Sequence, residues 1–194
     1  MSSHTPILFC LCGPSGVGKS TISRELLKAD PNLLLSISAT TRAPRGTEKE
    51  GTHYYFLSKT KFQEEITKSA FLEWAVYNEE HYGTPLSNYE NAKLNSVDLL
   101  LDIDVQGAKQ LKDRLGKVVK VIFVAPPSLD SLRERLINRG TDDADVVQRR
   151  LKRAEVEFEI LSGPTLTDHK VVNDGLEQAV DAVREIIFKE RNPE

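Results

Sequence analysis

Ile7-Leu-Phe-Cys-Leu-Cys12 runs without a break into Gly13-Pro-Ser-Gly-Val-Gly-Lys-Ser20. The first stretch is wholly apolar, and the second matches G-x-x-x-x-G-K-[ST]. Together they read as a buried strand, a glycine-rich loop and the first turn of a helix. Gly13, Gly16 and Gly18 let the backbone wrap closely around phosphate oxygens, with successive N–H groups pointing inward. The helix start that follows adds a favourable dipole. Lys19 supplies a mobile positive charge for polyphosphate, and the Ser20 hydroxyl suits Mg²⁺. The bland reading of such a stretch is a turn that caps a helix. The agreement of motif and flanking context favours phosphate.

Outward from this loop, apolar strand candidates alternate with helical patterns. Strands are expected at Ile7–Cys12, Leu33–Ile37, Val97–Ile103, Val118–Val124 and Lys170–Val172. Helices are expected over about 18–29, 105–115, 128–138, 144–161 and 175–190, with Ser128 as an N-cap and Gly175 as the last start signal. Such alternation predicts an α/β fold, a P-loop NTPase-type three-layer core with a mainly parallel sheet covered on both faces. Residues 38–92 break the rhythm with a polar, arginine-bearing opening and strand-like pieces around Tyr54–Phe56 and Phe71–Tyr77. Pro85 stands where a helix could begin behind Thr84. This segment is expected to be a lobe inserted into the core.

The chain has 194 residues, 39% of them hydrophobic and 28% charged, which suits one globular domain. With 26 Lys and Arg against 29 Asp and Glu, it is not a generally basic nucleic-acid binder. No apolar run approaches the roughly 20 residues of a membrane helix, and residues 6–12 lack the basic leader of a signal peptide. Cys10 and Cys12 alternate along one strand and make no disulfide framework. No binding to nucleic acid or membrane is expected, and the expected location is a reducing cytoplasm.

A phosphate loop does not choose between GTPases, ATPases and kinases. The nearest imitation of a guanine-reading Asn/Thr-Lys-x-Asp stretch, Leu27-Lys-Ala-Asp30, lies at the end of the first helix, which argues against a switch GTPase. Asp102 follows an apolar strand, the position from which a carboxylate holds Mg²⁺. Asp104 would share its face if the strand continued. A strand-end Asp is also a common helix N-cap. Seven basic residues lie between 133 and 153 against four acidic ones. Arg135 and Arg139 share a helix face, and Arg149 and Arg150 follow across the Gly140 break. Two arginine-bearing helices joined by a flexible turn suggest a lid over phosphates. Arg133, Lys152 and Arg153 are expected on a solvated face.

At this point the chain resembles guanylate kinase. The resemblance rests on residues 13–21, Ser36-Ile-Ser-Ala-Thr-Thr-Arg-Ala-Pro-Arg45, Gly51-x-x-Tyr54-x-Phe56, Phe71-Leu-Glu-Trp-Ala75 and Tyr82-Gly-Thr84. It continues through Leu101-Asp-Ile-Asp-Val-Gln-Gly107, Ala125-Pro-Pro-Ser128, Arg135-x-x-x-Arg139-Gly-Thr141 and Val172-Asn-Asp174. It implies one domain over 5–190, with core 5–37 and 93–190, a GMP-binding lobe at about 38–92 and a lid at about 136–152. The implied reaction is ATP plus GMP giving ADP plus GDP, with Mg²⁺. Implied ATP-binding residues are Gly13, Pro14, Ser15, Gly16, Val17, Gly18, Lys19, Ser20, Thr21 and Asn173. Ser20 and Asp102 would serve the metal, while Lys19, Arg42, Arg135, Arg139 and Arg150 would serve catalysis.

For GMP the resemblance implies Arg42, Arg45, Tyr54 and Tyr82 at the phosphate, with Glu48 supporting the arginines. Glu73 would face guanine N1 and N2, Ser38 and Asp104 the amino group, and Thr84 O6. Guanine offers N–H donors beside an acceptor, so a carboxylate and a hydroxyl are the matching readers. Four positions depart from the family pattern: Ala39 lacks a hydroxyl, Gly46 is shifted by one, Thr84 replaces serine and Asp142 shortens a carboxylate. His53, His81 and His169 read as ordinary surface or loop residues, and Trp74 as packing. The competing readings are a kinase-like scaffold that binds proteins without catalysis and a kinase for another monophosphate. The intact loop argues against the first, and Glu73 with Ser38 and Asp104 against the second. Oligomeric state is left open.

Overall fold

Alternation along the first strand organises the molecule. In β1 (Leu8–Cys12), Leu8, Cys10 and Cys12 point to one side while Phe9 and Leu11 point to the other, and all five are fully buried. A strand with no polar face must be covered on both sides. The computed structural model describes residues 5–77, 79–138, 144–163 and 165–193.

The central sheet holds β1, β2 (Leu33–Leu35), β7 (Asp98–Asp102), β8 (Val119–Ala125) and β9 (His169–Val172) in the order β2-β7-β1-β8-β9. Every pairing in it is parallel. One face packs under α1 (Lys19–Ala29) and α7 (Leu176–Arg191) around Phe9, Ile22, Leu100 and Val183. The other packs against α3 (Leu86–Asn95), α4 (Val105–Leu115) and α6 (Ala144–Ser162), around Leu101, Leu111 and Phe123. Burying each such side chain contributes about 1.5–3 kcal/mol, so these two layers carry the fold. Leu132 and Leu136 of α5 (Leu129–Asn138) meet Val147 and Ala154 of α6 in a separate small cluster.

A second sheet, β4-β3-β6-β5, contains β3 (Ala39–Thr40), β4 (Tyr55–Phe56), β5 (Phe71–Tyr77) and β6 (Glu80–Pro85). Its β5–β6 and β3–β6 pairs are antiparallel. Behind it, Phe62 of α2 (Lys59–Thr67) stacks on Phe71 with ring centroids 4.5 Å apart.

The expected elements form, with instructive differences. β2 stops at Leu35 rather than Ile37, because Asn88 takes over the next residues: its Nδ2 donates to Ser36 Oγ and to the Ile37 carbonyl, both at 2.9 Å. The chain is thereby turned toward the second sheet. α2 carries little sequence signal: only Phe62 of it is buried, so its apolar pattern is one residue deep, although Ser58 caps it by accepting from Lys61 N. β6 reads Glu-His-Tyr-Gly-Thr-Pro and is a strand only because β5 and β3 flank it. His169 lies in a strand, not on a loop, with Nε2 2.6 Å from Glu190. The turn expected at 139–143 lies outside the described residues.

The last helix is tied to the sheet edge by Arg191. Its Nε donates to Asp98 Oδ2 at 2.7 Å, and its Nη1 donates to Asp30 Oδ2 at 2.6 Å. Asp98 is buried and also accepts from Ile7 N at 2.8 Å, so one carboxylate joins the residue just before β1 to β7 and α7.

Candidate active site

The phosphate loop sits where β1 gives way to α1. Gly13, Gly16 and Gly18 have φ of +148°, +93° and +103°. A side chain on Gly13 would lie 2.2 Å from the Val124 carbonyl oxygen, and one on Gly18 would lie 2.5 Å from Asn173 Nδ2. The glycines are therefore required by close packing as well as by φ. Lys19 Nζ lies across the loop and donates to Gly13 O at 2.7 Å. Parallel pairing sets Leu11 beside Asp102, which brings that carboxylate to the loop. Ser20 Oγ donates to Asp102 Oδ2 at 2.9 Å, and Lys19 Nζ is 3.7 Å from Asp102 Oδ1.

Asp104 does not share the Asp102 strand face, because β7 ends at Asp102. Asp104 is instead the N-cap of α4, with Oδ1 accepting from Gly107 N at 2.9 Å. The capping role weighed for a strand-end Asp thus belongs to the second aspartate.

Opposite the loop, the second sheet presents Glu73. Register pairs Glu73 with Thr84 across β5 and β6, and the Thr84 hydroxyl donates to Glu73 Oε1 at 2.6 Å. Glu73 is only 4% exposed. Burial pushes its carboxyl up to about 7, against the lowering effect of the Thr84 hydrogen bond. A Cβ on Gly107 would stand 2.6 Å from Glu73 Oε2, so α4 begins directly against this carboxylate.

Arg42 and Glu48 form a two-pronged pair, Nη1 to Oε2 and Nη2 to Oε1, each 2.9 Å. Glu48 Oε2 also accepts from Arg45 N at 2.7 Å. The Arg42 hydrogen bonds hold the Glu48 carboxyl below its ordinary range. The Arg42 guanidinium lies 5.3 Å from the centre of the Tyr54 ring, and Tyr54 meets Tyr82 edge to face.

These groups converge on one cleft of about 340 Å³ between the two sheets. The loop residues Ser15, Gly16, Gly18, Lys19, Ser20 and Thr21 form its floor with Asp102. Ser38, Arg45, Tyr54, Glu73, Tyr82 and Asp104 form the facing wall, and Arg150 closes one side. Thr84 is fully buried and reaches the cleft through Glu73; Arg42 and Glu48 adjoin the wall through Arg45 and Tyr54.

Asn173 and Arg135 lie apart, in a second, shallower recess on the far side of the loop, together with Val17. There Asn173 Nδ2 donates to Val17 O at 2.7 Å, and Arg135 Nη2 donates to Asn173 O at 2.9 Å. The Pro14 carbonyl accepts from Val17 N within the loop. Arg139 lies outside the described residues.

Beyond the residues named from sequence, Glu157 and Tyr77 line the cleft, and Arg153 packs against both from outside it. Glu157 lines the cleft, where burial raises its carboxyl while nearby Lys19 lowers it. Tyr77 lines it as well, and the period of two from Glu73 through Ala75 is the signal that points it inward. Arg153 is not on a solvated face: its guanidinium lies 3.7 Å from the centre of the Tyr77 ring, and its Nε donates to Glu157 Oε1 at 3.1 Å. The spacing of Arg153 and Glu157 by four was the available hint.

A glycine loop with lysine and a serine–aspartate pair on one wall, and a buried carboxylate with an arginine–tyrosine group on the other, fit a nucleotide phosphotransferase. The guanylate kinase family model matches residues 5–190. Among relatives, guanylate kinase of Desulfitobacterium hafniense is 43% identical over 98% of this chain and 94% of its own length. That of Gloeobacter violaceus is 45% identical over 94% and 87%. The crystal structure of guanylate kinase from Anaplasma phagocytophilum superposes with a TM-score of 0.80 at 32% identity, covering 99% of this chain and 89% of that one. The chain belongs to the guanylate kinase family, and its reaction is the ATP-dependent phosphorylation of GMP to GDP. Among the described residues, no helix is long and apolar enough to cross a membrane.

Proposed function

We propose that ATP phosphates occupy the loop at Gly13–Thr21 and that GMP lies across the cleft, its base at Glu73 and its phosphate at Arg42, Arg45, Tyr54 and Tyr82. The observation that carries this reading is the buried Glu73–Thr84 pair facing the loop. Ionised Glu73 accepts from guanine N1–H and N2–H₂, while Thr84, Ser38 and Asp104 complete the base site. Adenine would set its N1 acceptor against the carboxylate, and a site built to bond a partner discriminates by roughly 10⁴–10⁵.

No covalent intermediate with the protein is required. The chain aligns two phosphates and neutralises charge. Lys19 leaves the Gly13 carbonyl to meet transferred oxygens, and Arg150 approaches from the side of the cleft. Arg42 spreads charge at the acceptor phosphate, held in orientation by Glu48. Arg135 and Asn173 brace the loop from behind, close to where the donor base would lie. Arg139 completes the arginine set, and residues 136–152 act as the lid that excludes water.

Ser20 and Asp102 fit Mg²⁺: a hydroxyl and a carboxylate, 2.9 Å apart and beside the phosphate loop, supply hard oxygen donors and leave other positions for water and phosphate. When bound, the ion screens phosphate charge. ATP and GMP are the small-molecule substrates, in a reducing cytoplasm. The test is coupled ADP release with Mg-ATP and each nucleoside monophosphate in turn. Release that depends on GMP is expected; equal release with AMP, UMP or dTMP would overturn the base assignment.

A further inference from the structure

Helix α6 carries Arg150, which reaches the cleft wall, and one turn later Arg153, which reaches the second sheet. Arg153 makes three contacts from that position. Its guanidinium lies 3.7 Å from the centre of the Tyr77 ring, its Nε donates to Glu157, and its Nη2 is 3.9 Å from Asp104 Oδ2. Tyr77 in turn meets Tyr82 edge to face with centroids 6.1 Å apart, and Tyr82 meets Tyr54 in the same manner at 6.1 Å. Arg42 lies over Tyr54. A continuous run of side chains therefore joins the helix bearing Arg150 to the arginine–tyrosine group opposite the loop.

Tyr77 stands at the end of β5, where strand pairing to β6 is about to give out. Arg153 is the group from α6 that overlies it. A planar guanidinium stacked on a phenol ring is attracted by the ring quadrupole, and its orientation is fixed here by Glu157. We propose that Arg153 is a positioning residue: by stacking on Tyr77 it holds the small sheet against α6, so that the acceptor site is set for GMP before GMP arrives. The inference rests on the acceptor assignment above. Its basis is preorganisation: a sheet already held in place loses less freedom on binding. Arg153 touches neither nucleotide in this scheme, so its effect falls on acceptor affinity.

The experiment is a double-mutant cycle with Arg153→Ala, Tyr77→Leu and both together, reading KM for GMP, KM for ATP and kcat. Arg153→Ala is expected to raise KM for GMP by about threefold to thirtyfold, the range such a contact supports. KM for ATP and kcat should stay within about twofold, a split that general destabilisation would not produce. The double variant should be no worse than the more severe single one, and Tyr77→Phe, which keeps the ring face, should behave as the parent enzyme. The cycle separates the stacking pair from any direct effect of Tyr77 on the cleft or of Arg153 on Glu157. An unchanged KM for GMP in Arg153→Ala, or effects that multiply in the double variant, would overturn the proposal. Arg42→Ala is run beside them. If it raises KM for GMP while Arg153→Ala does not, only the positioning role fails; if it too leaves KM unchanged, the acceptor assignment fails and this inference with it.

Discussion

Thr84 donates its hydroxyl to Glu73 Oε1 at 2.6 Å, inside a wall where Glu73 is 4% exposed. A single donor does not offset the desolvation of this carboxylate, which is pushed up from 4.5 to about 7 by burial. This carboxyl is therefore partly neutral near neutral pH.

With Glu73 as the proposed acceptor for guanine N–H donors, the ionised form is the one that binds, and GMP capture near and below pH 7 is expected to release a proton. KM for GMP should rise as pH falls, approaching about tenfold per unit once Glu73 is mostly protonated. The second ionisation of GMP phosphate, near pH 6, contributes to the same profile. Glu73→Gln isolates it, because that variant keeps only the phosphate component. A flat profile for the parent enzyme between pH 6 and 8 would contradict the assignment.

The same shift affects stability. A folded-state value above the unfolded one means that the contribution of Glu73 is fully present below about 4.5 and is lost as pH rises through about 7. Glu73→Gln should therefore stabilise the unliganded protein at pH 8 by about 1–3 kcal/mol while abolishing discrimination for GMP. Urea unfolding at pH 8 and pH 5.5 checks this, with the smaller gain expected at the lower pH.

Gly107 is a helix residue, so alanine there would ordinarily be favoured by propensity. Its added methyl carbon would stand 2.6 Å from Glu73 Oε2. Gly107→Ala should raise KM for GMP by at least about tenfold through displacement of the carboxylate, leaving KM for ATP near its starting value. Parallel titration of both substrates decides between this and a general loss of activity.

Lys19 Nζ donates to Gly13 O at 2.7 Å, across the loop proposed to hold the ATP phosphates. Lys19→Ala should reduce kcat by at least about 100-fold. Its circular dichroism and melting profile should stay close to those of the parent. Near-normal turnover would remove Lys19 from the transfer step.

Away from the cleft, Arg191 pairs with buried Asp98. Arg191→Ala should lower unfolding stability by about 2–3 kcal/mol, less than for a fully enclosed pair because the arginine is partly exposed. Kinetic constants at 25 °C should hold. A loss of activity without loss of stability would be the contrary result.

Local and periodic features of the chain were readable at once. The run from Ile7 through Ser20 declared a strand, a glycine loop and a helix, because close backbone packing and buried strands restrict which residues can stand there. Apolar runs at Leu99–Leu101 and Val121–Val124 likewise declared a covered parallel sheet. By resemblance, the same sequence pointed to Glu73, Thr84 and the arginine–tyrosine group.

Tertiary structure decided what depends on partners distant in the chain. It made Asp104 a helix cap rather than a strand residue, since only the point at which β7 stops determines which way that side chain turns. It also formed β6 from a polar segment that is a strand only between its neighbours. Gly107 was set against Glu73, and Arg153 against Tyr77, across gaps of 34 and 76 positions that no local pattern encodes. Periodicity reports which face of an element is buried. What that face meets is settled only when the elements pack, because desolvation, ion pairing and ring stacking act between surfaces brought together by the whole fold.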